Sequence, residues 1–79
     1  MYTVYVLRDS RGKMYKGVTS DLDQRLKGHK SGNTRTTRNM IDISVVYTEN
    51  FEDFDTTRKK EVYLKTAAGR RFLKGKIAQ

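Results

Sequence analysis

An α+β domain is predicted, with a small three-stranded antiparallel sheet flanked by two to three helices in the order β-β-α-β-α-(α). Three observations predict it. Tyr2–Arg8 and Met14–Thr19 are tyrosine- and valine-bearing runs separated by Asp9-Ser10-Arg11-Gly12-Lys13, which has the composition of a turn. Leu22 and Leu26 stand at i, i+4 behind the capping side chains of Thr19-Ser20-Asp21. Further on, Ile43, Val45 and Tyr47 alternate with Ser44, Val46 and Thr48 ahead of a stretch of helix formers.

Taken in order, the first run is a half-buried strand, because β-branched and aromatic residues suit a pleated surface. Gly12 accepts positive φ in the turn, and Met14–Thr19 returns as the second strand of a hairpin. Tyr5 and Tyr15 are both odd-numbered, so a register pairing residues whose numbers sum to an even value sets both rings on one face. Gly17 leaves open backbone beside them. Helix one is predicted over 21–30, with Arg25 and His29 at i, i+4 on one side and Ser31-Gly32-Asn33 as its stop. Residues 33–39 hold no apolar side chain but carry Arg35 and Arg38, as a phosphate-binding surface loop would.

The third strand is expected over 41–51, central in the sheet or packed against helices. A second helix over 56–66 takes Asp55 as its cap, and Phe54, Glu61, Leu64 and Ala68 fall near helical spacing, so Glu61 shares a side with apolar residues. Residues 67–77 form a shorter third helix or a frayed tail with Phe72, Leu73 and Ile77 inward.

The 79 residues make one domain, 1–79, since a core this small has no room to divide. Cysteine is absent, which excludes disulfides and thiolate zinc sites as the source of stability. The apolar start is broken by Arg8 and has no basic leader, so a signal peptide or membrane span is not expected and the cytoplasm is. Seventeen Lys and Arg against nine Asp and Glu give +8, which points to a polyanion. The basic residues are spread over loops and several elements, a distribution that favours nucleic acid over a membrane surface. Solubility alone is the plainer account of the same charge.

Thr3-Val4-Tyr5, Tyr15-Lys16-Gly17, the run from Thr19 through Arg25 to His29, Val46-Tyr47-Thr48, and Lys60-Glu61-Val62-Tyr63-Leu64-Lys65 together resemble the GIY-YIG nuclease domain. The likeness is to small stand-alone bacterial proteins similar to the amino-terminal domain of the bacterial excision-repair nuclease. It covers nearly the whole chain, and these elements in order are a far more specific signal than either tripeptide alone. Threonine and valine replace the glycine and isoleucine of the first motif. The asparagine that many catalytic members carry after the glutamate has no counterpart in 70–74.

The resemblance implies a metal-dependent DNA endonuclease, with branched or damaged DNA in repair or recombination as its substrate class. Glu61 would hold one Mg²⁺ or another divalent cation such as Mn²⁺, largely hydrated as suits a small hard ion. Tyr5 or Tyr15 would take the proton of the attacking water, Tyr5 being preferred by the motif, and either phenol would need its pKa lowered from about 10. Arg25 would grip the scissile phosphate, and His29 would hydrogen-bond a tyrosine hydroxyl or the phosphate. Lys16, Lys27, Lys30, Arg35, Arg38 and Lys65 would hold flanking backbone. A monomer is expected, with a protein partner adding the specificity that so short a chain has little surface to supply.

Each residue also has an ordinary explanation. Tyrosine is a favoured strand residue, Arg25 and His29 suit a solvated helix, and Glu61 can pair with Lys65 at i, i+4 for about 0.3–0.5 kcal/mol. Two other functions stay open: a non-catalytic nucleic-acid-binding domain that kept the fold, for which the missing asparagine speaks, and a protein-interaction module.

Overall fold

The computed structural model describes residues 1–30 and 42–77, except the side chains of His29 and Lys30. The elements are β1 (Tyr2–Arg8), β2 (Met14–Thr19), α1 (Leu22–Lys30), β3 (Ser44–Phe51), α2 (Phe54–Leu64) and α3 (Ala67–Ile77). The three strands form one antiparallel sheet in the order β2-β1-β3. The expected α+β class and element order are therefore present.

The hairpin forms because Asp9 organises its turn. Its Oδ1 accepts from the Arg11 N–H at 3.0 Å and the Lys13 N–H at 2.8 Å, while Gly12 takes φ 86°. Tyr5 pairs with Gly17 and Leu7 with Tyr15, an unshifted register of even sums that sets both tyrosines on one face. Val4 and Val6 face the other way and build the core with Leu64 of α2 and Leu73 of α3, all fully buried. Each such side chain is worth about 1.5–3 kcal/mol relative to exposure. Val18, Val46, Tyr47, Phe51, Phe72 and Ile77 pack around them.

The structure selects between the alternatives expected for β3 and for residues 67–77, and it corrects the start of β3 and the cap of α2. β1 is the central strand and β3 an edge strand that packs against α2 and α3. β3 starts at Ser44, because Asp42 adopts φ 56°, a left-handed conformation that cannot continue a strand. Its pairing with β1 shifts between Val6 and Leu7, where an extra β3 residue is accommodated as a bulge. The cap of α2 is Asp53, not Asp55: its Oδ2 accepts from the Thr56 N–H and hydroxyl, both at 3.0 Å. Residues 67–77 are a full helix and not a frayed tail, because Phe72, Leu73 and Ile77 all contribute to the core. The expected stop of α1 at 31–33 lies outside the described residues.

A polar clasp ties β3 to the helices. Glu49 accepts a hydrogen bond from the Tyr47 hydroxyl and pairs with Lys60 at 3.5 Å, and the Lys60 ammonium lies 4.5 Å from the Phe72 ring centre. Burial first, and the neighbouring Glu49 carboxylate second, push the Tyr47 phenol up to about 12. The folded pKa thus exceeds the unfolded one, so this stabilisation is complete below pH 10 and lost as pH rises through the folded value. Discounted for residual exposure, it amounts to about 1–2 kcal/mol. Urea midpoints measured from pH 9 to 12 are expected to fall less steeply in Tyr47→Phe than in the parent, and parallel curves would refute the linkage.

No helix among the described residues is long and apolar enough to cross a membrane.

Candidate active site

On the sheet face away from α2 and α3, Tyr5 lies across Gly17. A Cβ at Gly17 would come within 2.6 Å of the Tyr5 hydroxyl oxygen and 2.7 Å of its Cζ, so the bare backbone is what lets the ring lie flat. Tyr15 stands beside it with ring centres 6.2 Å apart. α1 brings the third member. Asp21 caps the helix by accepting from the Gln24 N–H at 3.2 Å, and Arg25, one turn in, donates from Nε to the Tyr5 hydroxyl at 3.3 Å.

The electrostatics differ from expectation. Burial raises the Tyr5 phenol above its ordinary value; the Arg25 hydrogen bond opposes this, but the second phenol at Tyr15 adds to it. Tyr5 is thus not a base of lowered pKa without a ligand, and added positive charge beside it would be needed to make it one. Arg25 remains a permanently charged guanidinium at the mouth of the site, mostly exposed to solvent.

Glu61 sits on the inner side of α2 with Thr57 and Leu64, and is only 6% exposed. Its Oε1 accepts from Arg58 Nη1 at 2.9 Å, and its Oε2 faces Lys65 Nζ at 3.7 Å. Leu64, on the same side of the helix, packs on Val4 and Val6, so α2 approaches β1 from the face opposite Tyr5. The structure gathers Tyr5, Tyr15 and Arg25; it does not bring Glu61 into hydrogen-bond contact with them. Arg58 is absent from the expected set, although its position three residues before the glutamate is the spacing of a helical ion pair.

A single hard cation fits this donor set, because one buried carboxylate suffices for an ion that keeps most of its waters. Arg58 and Lys65 have side chains 59% and 56% exposed, so their pairs with Glu61 are weak enough to yield to a stronger charge. Among the described residues no group of three or more His, Cys, Asp and Glu gathers for a metal.

Of the expected backbone-holding residues, Lys27 is exposed on α1, and Lys16 lies within electrostatic reach of Lys65 and Arg70. Burial, with Arg70 and Lys65 nearby, lowers the Lys16 ammonium below its ordinary range. Arg35, Arg38 and the side chains of His29 and Lys30 lie outside the described residues.

The GIY-YIG catalytic domain model matches residues 1–74. The chain belongs to the GIY-YIG family. Within that family it is similar to small proteins named UPF0213. One, from the VLF1-GP41 intergenic region of Autographa californica nuclear polyhedrosis virus, is 35% identical over 75 residues, covering 91% of this chain and 71% of the viral one. Another, from Clostridium perfringens, is 33% identical over 66 residues, covering 82% and 71%. The solution NMR structure of a UPF0213 protein from Bacillus halodurans superposes with a TM-score of 0.57 at 30% identity, covering 92% of this chain and 82% of that one. The nuclease-type GIY-YIG fold is thus the fold of this chain, which spans about seven tenths of the length of the first two of these relatives. Tyr5 and Tyr15-Lys16-Gly17 occupy the adjacent strands β1 and β2 of that fold.

Proposed function

We propose that this GIY-YIG protein is a divalent-metal-dependent DNA endonuclease. The observation that carries the reading is the Tyr5–Tyr15–Arg25 group on one sheet face, spread over a glycine that only a side-chain-free residue could supply. Arg25 would bind the scissile phosphate through its planar fork. The Tyr5 hydroxyl would take the proton from the attacking water, Tyr15 would orient that water or the phosphate, and His29 would support either. Glu61 would hold the cation, which when bound supplies neutralising charge to the phosphate and the departing oxygen. Branched or damaged DNA in repair or recombination is the proposed substrate, acted on by a cytoplasmic monomer with a protein partner adding specificity.

A second reading, a non-catalytic nucleic-acid-binding domain, is favoured by the raised Tyr5 phenol and by a Glu61 carboxylate already engaged by two cations. One experiment separates the two. Purified protein is incubated with branched and linear DNA in Mg²⁺ or chelator, beside Glu61→Gln. Cleavage that requires metal and drops at least about 100-fold in the variant supports the enzyme. DNA binding with no cleavage under any condition supports the second reading, and equal cleavage by Glu61→Gln removes this residue from the site.

A further inference from the structure

On the opposite face from Tyr5, the turn end of the hairpin and α3 enclose a cleft of about 330 Å³ lined by Arg8, Met14, Arg70, Lys74 and Ile77. Its origin is regular. Arg8 and Met14 are register partners on one sheet face, and Arg70, Lys74 and Ile77 are spaced i, i+4, i+7 along α3. The wall is largely apolar, yet three cations frame it, and among the described residues none of the three has an acidic partner. Lys16, on the same face, is crowded by Lys65 and Arg70 and extends the positive rim. Apolar floor and cationic rim make two distinct demands on a ligand. A bare phosphate has no use for the floor, and a duplex hides the faces of its bases from it. The volume lies at the lower end of the roughly 300–1,000 Å³ typical of small-ligand pockets, the scale of one base and its sugar.

We propose that this cleft receives an unpaired nucleotide, its base lying on Met14 and Ile77 and its flanking phosphates on Arg8, Arg70 and Lys74. Guanidinium planes also stack on bases, so Arg8 and Arg70 serve both halves of the ligand. The proposal rests on the nucleic-acid reading above and adds the form of the substrate: a junction with a single-stranded arm held on the face away from Tyr5.

The test measures binding of a labelled short oligothymidine, and of a duplex of matched charge, to the full chain. In Arg70→Ala/Lys74→Ala, oligothymidine affinity is expected to fall about tenfold or more, with the salt slope shallower by about 1.4 for two lost single-strand phosphate contacts. Duplex affinity should change less. Lys59→Ala/Arg71→Ala removes the same charge from exposed positions outside the cleft and should weaken oligothymidine by less than about threefold. Met14→Ala should lower oligothymidine affinity about threefold with an unchanged salt slope, since an apolar base contact releases no counterion.

Equal weakening by the two double variants, or no effect of Met14→Ala, overturns the proposal. So does saturable binding of dodecanoate that depends on Arg70 and Met14 in a protein that ignores oligothymidine, which assigns the cleft to amphipathic carboxylates. Failure of the nuclease reading appears as a parent protein that binds oligothymidine through the cleft but cleaves no DNA in Mg²⁺, and failure of the cleft as metal-dependent cleavage by a protein whose oligothymidine binding is indifferent to Arg70, Lys74 and Met14.

Discussion

Gly69→Ala is expected to cost about 3–5 kcal/mol and to lower the melting temperature by roughly 15 °C or more. Gly69 is buried at the start of α3, where its N–H donates to the Thr66 hydroxyl at 3.1 Å. A Cβ there would lie 1.9 Å from the Tyr63 carbonyl oxygen and 2.5 Å from the Leu64 Cα. Both are backbone atoms, so no rotamer change relieves the clash and α3 must move away from α2. That movement opens the core at Leu64 and Leu73, the residues with which the helices cover Val4 and Val6. A chain of this size has only about 4–12 kcal/mol in total, so much of its stability is at stake. Gly75→Ala in the same helix provides the contrast. Nothing lies within 4 Å of its added Cβ, and alanine there should stabilise by about 0.5–1 kcal/mol. Thermal melts of the two variants shifting in the same direction would refute this account of the helix crossing.

Tyr5→Phe is expected to reduce DNA cleavage about 10²–10⁴-fold while costing no more than about 1 kcal/mol of stability. The ring supplies the burial and remains; only the hydroxyl, joined to Arg25 at a long 3.3 Å, is lost. Gly17→Ala reaches the same hydroxyl without deleting it. The new methyl must displace a fully buried ring that is hydrogen-bonded to Arg25, at about 1–3 kcal/mol, and should carry a loss of cleavage with it. Single-turnover cleavage of branched DNA beside urea unfolding measures both effects. A Tyr5→Phe protein that cleaves at the parental rate would transfer the general base to Tyr15.

Much of this is legible in the chain of residues alone, for local reasons. The even-sum register that unites Tyr5 and Tyr15 follows from a short loop and strand alternation, and the capping of α1 by Asp21 from its position ahead of Leu22 and Leu26. What is not legible depends on partners distant in sequence. Asp53 and Asp55 are equally good capping carboxylates, and only the path of the chain leaving β3 selects Asp53. The apolar alternation of β3 reflects helices on one of its faces and does not reveal that β1 occupies the middle of the sheet. The cleft that Arg70 and Lys74 share with the hairpin stays hidden because an eleven-residue helix holding Gly69 and Gly75 is marginal alone, and it is packing against α2 that keeps it wound. The Tyr5 phenol departs from expectation for the same kind of reason: burial opposes its ionisation more than one partly exposed guanidinium favours it.

The position of β1 also divides the tyrosine site by tempo. Tyr5 is on a strand hydrogen-bonded along both edges, which opens to solvent only when the domain itself unfolds, so its amide should be among the slowest to exchange with deuterium. Arg25 is on a nine-residue helix with no buried side chain among those described, and its amide should exchange far sooner. An arriving phosphate would thus meet a fixed anvil in the phenol and a guanidinium free to swing toward it, so that Arg25 can trade the phenol for the phosphate while the sheet beneath keeps its form.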